Sequence, residues 1–143
     1  MDLETLKLKS KEDLLISNNE RMDQESFHNQ KIKQEWLDLK ADFELLLIKA
    51  KTDHQQMYRH KWEYYGCKAD AKVYAAKPFD IKVMKTDLAM YIQSDDDILR
   101  IQNKIGYYET CVDYIKGVIK SIDNRGWDIK NSITWKQFEA GMM

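Results

Sequence analysis

Arg59 and Lys61 alternate with aromatic side chains at Tyr58, Trp62, Tyr64 and Tyr65 along one short stretch of the chain. Single strands of nucleic acid are held by such a mixture, in which cations attract phosphates and exposed rings stack on bases. On a helix turning roughly 100° per residue, Tyr58, Trp62 and Tyr65 share one stripe, with Lys61 at one edge and Arg59 past the other. Nothing in this set is suited to reading base identity. Binding would be sequence-tolerant and salt-sensitive, with a log-log slope of about −0.7 per phosphate neutralised. The same residues also have a structural reading, in which the rings anchor a core under a neighbouring helix and the cations reach outward past them. The wider segment from Lys49 to Lys77 carries seven basic residues against three acidic ones, a balance of +4, together with five aromatics.

Other chemistries lack their residues. Lys9-Ser10, Lys51-Thr52 and Lys85-Thr86 have no upstream glycine loop to cradle a phosphate, which argues against nucleotide hydrolysis. His28, His54 and His60 are not spaced at three or four and so do not share a helix face as metal ligands would. Asp95, Asp96 and Asp97 lack the alternation and the glycine of a calcium loop, and they suit a helix N-terminus. Cys67 lies beside Lys68 but has no histidine partner in view, and Cys67 and Cys111 form no C-x-x-C pair. The chain is therefore expected to have no catalytic residues, no metal site and no cofactor, and to work in a reducing, cytosolic setting.

The elements that position these residues follow from periodicity. Ser10, Ser17 and Ser94 each precede an acidic residue at plus three (Asp13, Glu20, Asp97), the capping-box pattern of a helix start. No Gly or Pro interrupts Asn18 to Tyr65, and Ile32, Trp36, Leu39, Phe43, Leu46 and Ala50 recur at helical spacing. This spacing predicts one long helix, or two nearly collinear ones, ending at Gly66. A loop or bend from Gly66 to Asp80 and a short helix from Ile81 to Gln93 are expected next. Ile98, Ile101, Ile105, Tyr108, Val112, Ile115, Ile119 and Ile122 then repeat three and four, an a/d seam flanked by Tyr107, Cys111, Tyr114 and Val118. So wide an apolar arc needs cover from the chain's own helices, from other subunits, or from both. Asn124, Arg125 and Gly126 read as a helix stop, with a last short helix to Gly141.

The 143 residues are 43% hydrophobic and 33% charged, with five Gly and one Pro, and 23 Lys+Arg balance 24 Asp+Glu. That composition predicts an all-α fold of long helices in an elongated subunit and argues against a β-barrel. The longest apolar run, Leu45 to Ile48, is too short for a membrane span, and Met1-Asp2-Leu3-Glu4 has no secretory pattern. No membrane role is expected.

Arg59-His60-Lys61-Trp62-Glu63-Tyr64-Tyr65-Gly66 resembles a motif of the UvsY recombination mediators of T-even-like phages: two basic residues separated by any residue, then apolar, acidic and two tyrosines. Arg125-Gly126-Trp127 with Ile129-Lys130, then Phe138-Glu139-Ala140-Gly141, is similar to that family's closing pattern, and Met84-Lys85-Thr86 and Asp97-Ile98-Leu99 fit between. Trp62 in place of a smaller apolar residue, the order of the two cations, and Gly66 directly after the tyrosine pair, followed by Cys67-Lys68-Ala69 where the family is more glycine-rich, depart from the pattern. The resemblance implies an all-helical, non-catalytic protein that binds single-stranded DNA without strong sequence preference. It also implies a homo-oligomer, a hexameric or heptameric ring, that loads a UvsX-type recombinase onto DNA coated by the phage single-stranded-DNA-binding protein in the cytoplasm of the infected host. The expected DNA-binding residues are then Arg59, Lys61, Trp62, Tyr64, Tyr65, Lys68 and Lys72, within an N-terminal helical region of residues 1–80. Residues 81–143 become a C-terminal assembly region built on the isoleucine seam. A coiled-coil adaptor that touches no nucleic acid is the alternative that the heptads and the acidic N-terminal third also suit.

Overall fold

The computed structural model describes residues 1–15 and 22–141. Its elements are α1 (Leu3–Asp13), α2 (Met22–Tyr65), α3 (Ala71–Ala76), α4 (Leu88–Gln93) and α5 (Asp96–Glu139), with no strand among the described residues. The fold is all-α, and α2 and α5 run 44 residues each. Contacts divide the chain into two units, one of residues 1–44 and 110–143, the other of residues 45–109. Both long helices contribute to both units, and the boundary expected after residue 80 falls inside the second.

In the first unit α1 is held against both long helices. Ser10 Oγ lies 2.6 Å from Tyr114 Oη, while Lys9 bridges Asp13 at 2.8 Å and Glu35 at 2.9 Å. The indole N–H of Trp36 donates to Asp13 at 3.0 Å, which satisfies the one polar atom of a fully buried ring. Leu6, Ile32, Trp36, Phe43, Ile115, Ile122 and Ile129 are buried here. Of the α2 stripe read from the sequence, Ile32, Trp36, Phe43 and Ala50 are buried and Leu39 is half-buried, while Leu46 is exposed. In the second unit Leu88, Ile92 and Ile98 form a core against which Met57, Tyr58, Tyr65 and Val83 pack. Contacts of Lys51 with Glu109 and of Lys61 with Asp97 show α2 and α5 to be antiparallel in this unit.

Several local expectations are corrected. Ser10 does not start a helix: it sits inside α1 with its hydroxyl donating to Lys7 O at 2.8 Å, and the cap is Asp2, which accepts from the Thr5 amide at 2.8 Å. Ser94 closes α4, donating to Met90 O at 2.8 Å, and Asp95 takes the capping role for α5 by accepting from the Asp97 amide at 2.8 Å. The Ser17–Glu20 box lies outside the described residues. Only Leu88–Gln93 of the expected 81–93 helix is helical, and the expected 66–80 loop contains α3.

The stop expected at Asn124-Arg125-Gly126 is absent, for α5 continues to Glu139. Gly126 allows a close approach instead, since a Cβ there would meet Asn29 Nδ2 at 3.2 Å and the amide would have to shift by a few tenths of an ångström. The isoleucine seam is also spent differently. Ile98, Val112, Ile115 and Ile122 are buried by the chain's own helices, and Ile101, Ile105, Tyr108 and Ile119 are half-buried. The four buried members are packed within their own subunit and are not part of an exposed coiled-coil seam. The apolar side chains of α5 left exposed are Leu99, Tyr107, Trp127, Trp135 and Phe138.

Candidate nucleic-acid interface

The candidate residues occupy the last turns of α2, and the way that helix ends fixes their setting. Cys67 N donates to Tyr64 O at 3.3 Å and Lys68 N to Glu63 O at 2.8 Å, the paired bonds of a Schellman motif. The left-handed residue in it is Cys67, with φ 59°, and Gly66 occupies the preceding position. A Cβ on Gly66 would stand 2.8 Å from the Trp62 backbone oxygen, so glycine is required there by space. Cys67→Gly removes the cost of a left-handed L-residue and should raise stability by about 1 kcal/mol. A urea midpoint that fails to rise would contradict that reading of the turn.

The motif side chains separate into two groups. Arg59 projects into solvent with its side chain 80% exposed and pairs with Glu63 one turn on at 3.3 Å. Trp62 is 41% exposed, and Lys68 Nζ lies 4.4 Å from its ring centroid, a cation–π contact across the helix end. Lys72 is exposed on α3. These are the motif side chains open to solvent.

Lys61, Tyr64 and Tyr65 face inward. The Lys61 side chain is 11% exposed, with Nζ 2.9 Å from Asp97 and 3.3 Å from Asp95. Burial works against its charge, but the hydrogen bond to Asp97 and the field of Asp95 outweigh it and raise the lysine above its ordinary value. Asp95 is pushed up by burial and brought lower, net, by the Tyr65 hydroxyl, the Asp97 amide and Lys61; the Lys61 hydrogen bond likewise lowers Asp97. Tyr65 donates to Asp95 at 2.6 Å, and burial together with that carboxylate raises its phenol. Tyr64 is buried, donates to Lys77 O at 3.1 Å and stacks on Tyr74 at 5.5 Å between centroids.

Of the stripe of three rings, Tyr58 and Tyr65 are therefore core anchors and Trp62 alone is offered to solvent. Lys61, read as a phosphate contact, is an interhelical tie whose charge is already neutralised by two carboxylates. Asp95 and Asp97 were legible only as helix-start acids. Their link to the motif lies in the tertiary pairing of α2 with α5. No cluster of metal-ligand type is present among the described residues.

Residues 9–142 match the family described as "Recombination, repair and ssDNA binding protein UvsY", which places the chain in the class of recombination and repair proteins. The recombination protein UvsY of Enterobacteria phage T4 is 23% identical over 141 residues, 99% of each chain. Crystal structures of the bacteriophage T4 recombination mediator protein UvsY superpose with TM-scores of 0.85 and 0.81, at 21% and 19% identity. They cover 98% and 97% of this chain and 98% and 99% of theirs. The chain belongs to the UvsY family.

Proposed function

We propose that the chain is a recombination mediator. It binds single-stranded DNA with little sequence preference, assembles into a hexameric or heptameric ring, and loads a UvsX-type recombinase onto DNA coated by the phage single-stranded-DNA-binding protein in the host cytoplasm. The observation that carries the reading is the exposed trio of Arg59, Trp62 and Lys68 at the end of α2. It offers two cations for phosphates and one ring for a base, the chemistry of sequence-tolerant binding. Lys72 adds a further exposed cation, while Lys61, Tyr64 and Tyr65 hold the platform rigid from behind.

A single trio binds weakly, and repetition around a ring multiplies it. The C-terminal part of α5 supports assembly, for Trp127, Trp135 and Phe138 are exposed and the last two rings stack at 5.5 Å. The half-buried Ile101, Ile105, Tyr108 and Ile119 are the members of the isoleucine seam still available to a neighbour. No described helix is long and apolar enough to cross a membrane.

Arg59→Ala removes one charge-assisted phosphate contact per subunit and lowers affinity for a labelled oligothymidylate by about tenfold at low salt. The variant's salt slope flattens while its oligomer size stays that of the parent. Fluorescence anisotropy across a salt series, with light scattering alongside, is the measurement. Parent-like affinity and slope would reject the site.

A further inference from the structure

Behind the exposed trio, the end of α2 and the start of α3 enclose a cleft of about 590 Å³. Its size lies within the range of small-molecule sites, large enough for a nucleotide and too small for a protein element. Met57, Ala69 and Val73 supply apolar wall, and His60, Lys68 and Lys77 stand around it. Lys61 also lines the cleft, but its charge is spent on Asp95 and Asp97. Two carboxylates share the lining. Glu63 is engaged by Arg59 at 3.3 Å, which leaves Asp70 against Lys68 and Lys77 and a cationic excess. Lys77 Nζ lies 6.0 Å from the Tyr64 ring centroid, so its charge is held over the aromatic side of the cleft.

Lys68 belongs to both features, lying over the Trp62 ring and lining the cleft. The exposed ring and the cleft are therefore contiguous, and a strand with one base stacked on Trp62 brings its neighbouring nucleotide to the cleft mouth. We propose that the cleft is a nucleotide subsite that receives one nucleotide of the bound strand, its phosphate between Lys68 and Lys77 and its apolar surface against Met57 and Val73. The inference rests on the single-strand reading above and extends it to Val73 and Lys77, which no motif singles out. Single nucleotides share the phosphate and base of a strand, but lack the continuation that reaches Trp62 and Arg59.

The test is anisotropy of a labelled oligothymidylate with three full-length variants, Val73→Trp, Lys77→Glu and Arg59→Ala, and competition by thymidine monophosphate. Val73 is exposed on α3, so a tryptophan there fills the cleft without entering the core, and Lys77→Glu reverses one charge without adding bulk. Both should weaken oligonucleotide binding roughly tenfold, with helix content and oligomer size retained and the monophosphate competing only at far higher concentration. If Val73→Trp misfolds, Lys77→Glu decides by itself. Parent-like binding by a folded Val73→Trp and by Lys77→Glu, with Arg59→Ala weakened, overturns the cleft and leaves the single-strand reading standing. A parent that binds no oligonucleotide overturns both. Competition by the monophosphate at concentrations equal to the oligonucleotide's overturns the strand assignment in favour of a free-nucleotide site.

Discussion

Lys61→Ala should lower the unfolding free energy by about 3 kcal/mol at neutral pH, because it leaves Asp95 buried with its cation gone. The other supports of Asp95, the Tyr65 hydroxyl and the Asp97 amide, remain but do not neutralise it. Lys61→Met, which keeps the apolar stem, should recover the packing share of that loss and none of the electrostatic share. The pH dependence carries a sign. Asp95 and Asp97 sit below the ordinary 3.8, so their contribution is complete above that value and is lost as pH falls through the lowered values. Lys61 sits above the ordinary 10.5, so its contribution is complete below that value and is lost as pH rises through the raised one. Urea unfolding by circular dichroism at pH 7 and in acid should show the parent losing more stability than Lys61→Met. Equal losses would contradict the tie. Any effect of Lys61 replacement on DNA binding then follows from a displaced helix end, and it should track stability where that of Arg59→Ala does not.

Arg125→Ala should cost about 4 kcal/mol, the larger of the two effects. The guanidinium is buried inside α5 and donates to Asn29 Oδ1 at 3.1 Å, to Leu15 O at 2.9 Å and to the Glu25 carboxylate. Removing it strands a carboxylate, an amide oxygen and a carbonyl in one place. Lysine keeps the charge but not the planar fork, so Arg125→Lys should restore only the Glu25 share. Hydrogen exchange should show protection lost first in α1, which Leu15 follows, and in the start of α2, which holds Glu25. Retained protection there, or a midpoint shift equivalent to less than about 1 kcal/mol, would show that this node does not hold the unit together. The node also accounts for the Arg125-Gly126 pair, since Asn29 closes on the arginine at the place where Gly126 has no Cβ.

What could be read from residues alone was whatever depends on neighbours a few positions apart. The stripe from Ile32 to Ala50, the absence of Gly and Pro up to Tyr65 and the stop at Gly66 all act through i to i+4 relations, and they give α2 with its end at Tyr65. The heptads of α5 were equally local, as was the concentration of cations and rings before Gly66. Signals of the same local kind misled where a distant partner outbid them. Asn124-Arg125-Gly126 has the composition of a stop, yet burial of Arg125 against α2 carries the helix through it. Ser10 has the spacing of a cap, yet its hydroxyl bonds Lys7 and Tyr114 within and beyond α1.

The sequence by itself determined that the chain is helical, that its cations and aromatics gather before Gly66, and that they belong to a UvsY-type motif. Which of those groups face outward was decided by tertiary structure. Lys61 and Asp97 are 36 positions apart and meet only because antiparallel packing of α2 on α5 brings them into register. A helical wheel gives the angle between Arg59, Lys61 and Trp62 but not which angle points at the neighbouring helix. Burying Tyr58 and Tyr65 against Leu88, Ile92 and Ile98 settles that angle. It turns Lys61 onto two carboxylates and leaves Arg59 and Trp62 in solvent.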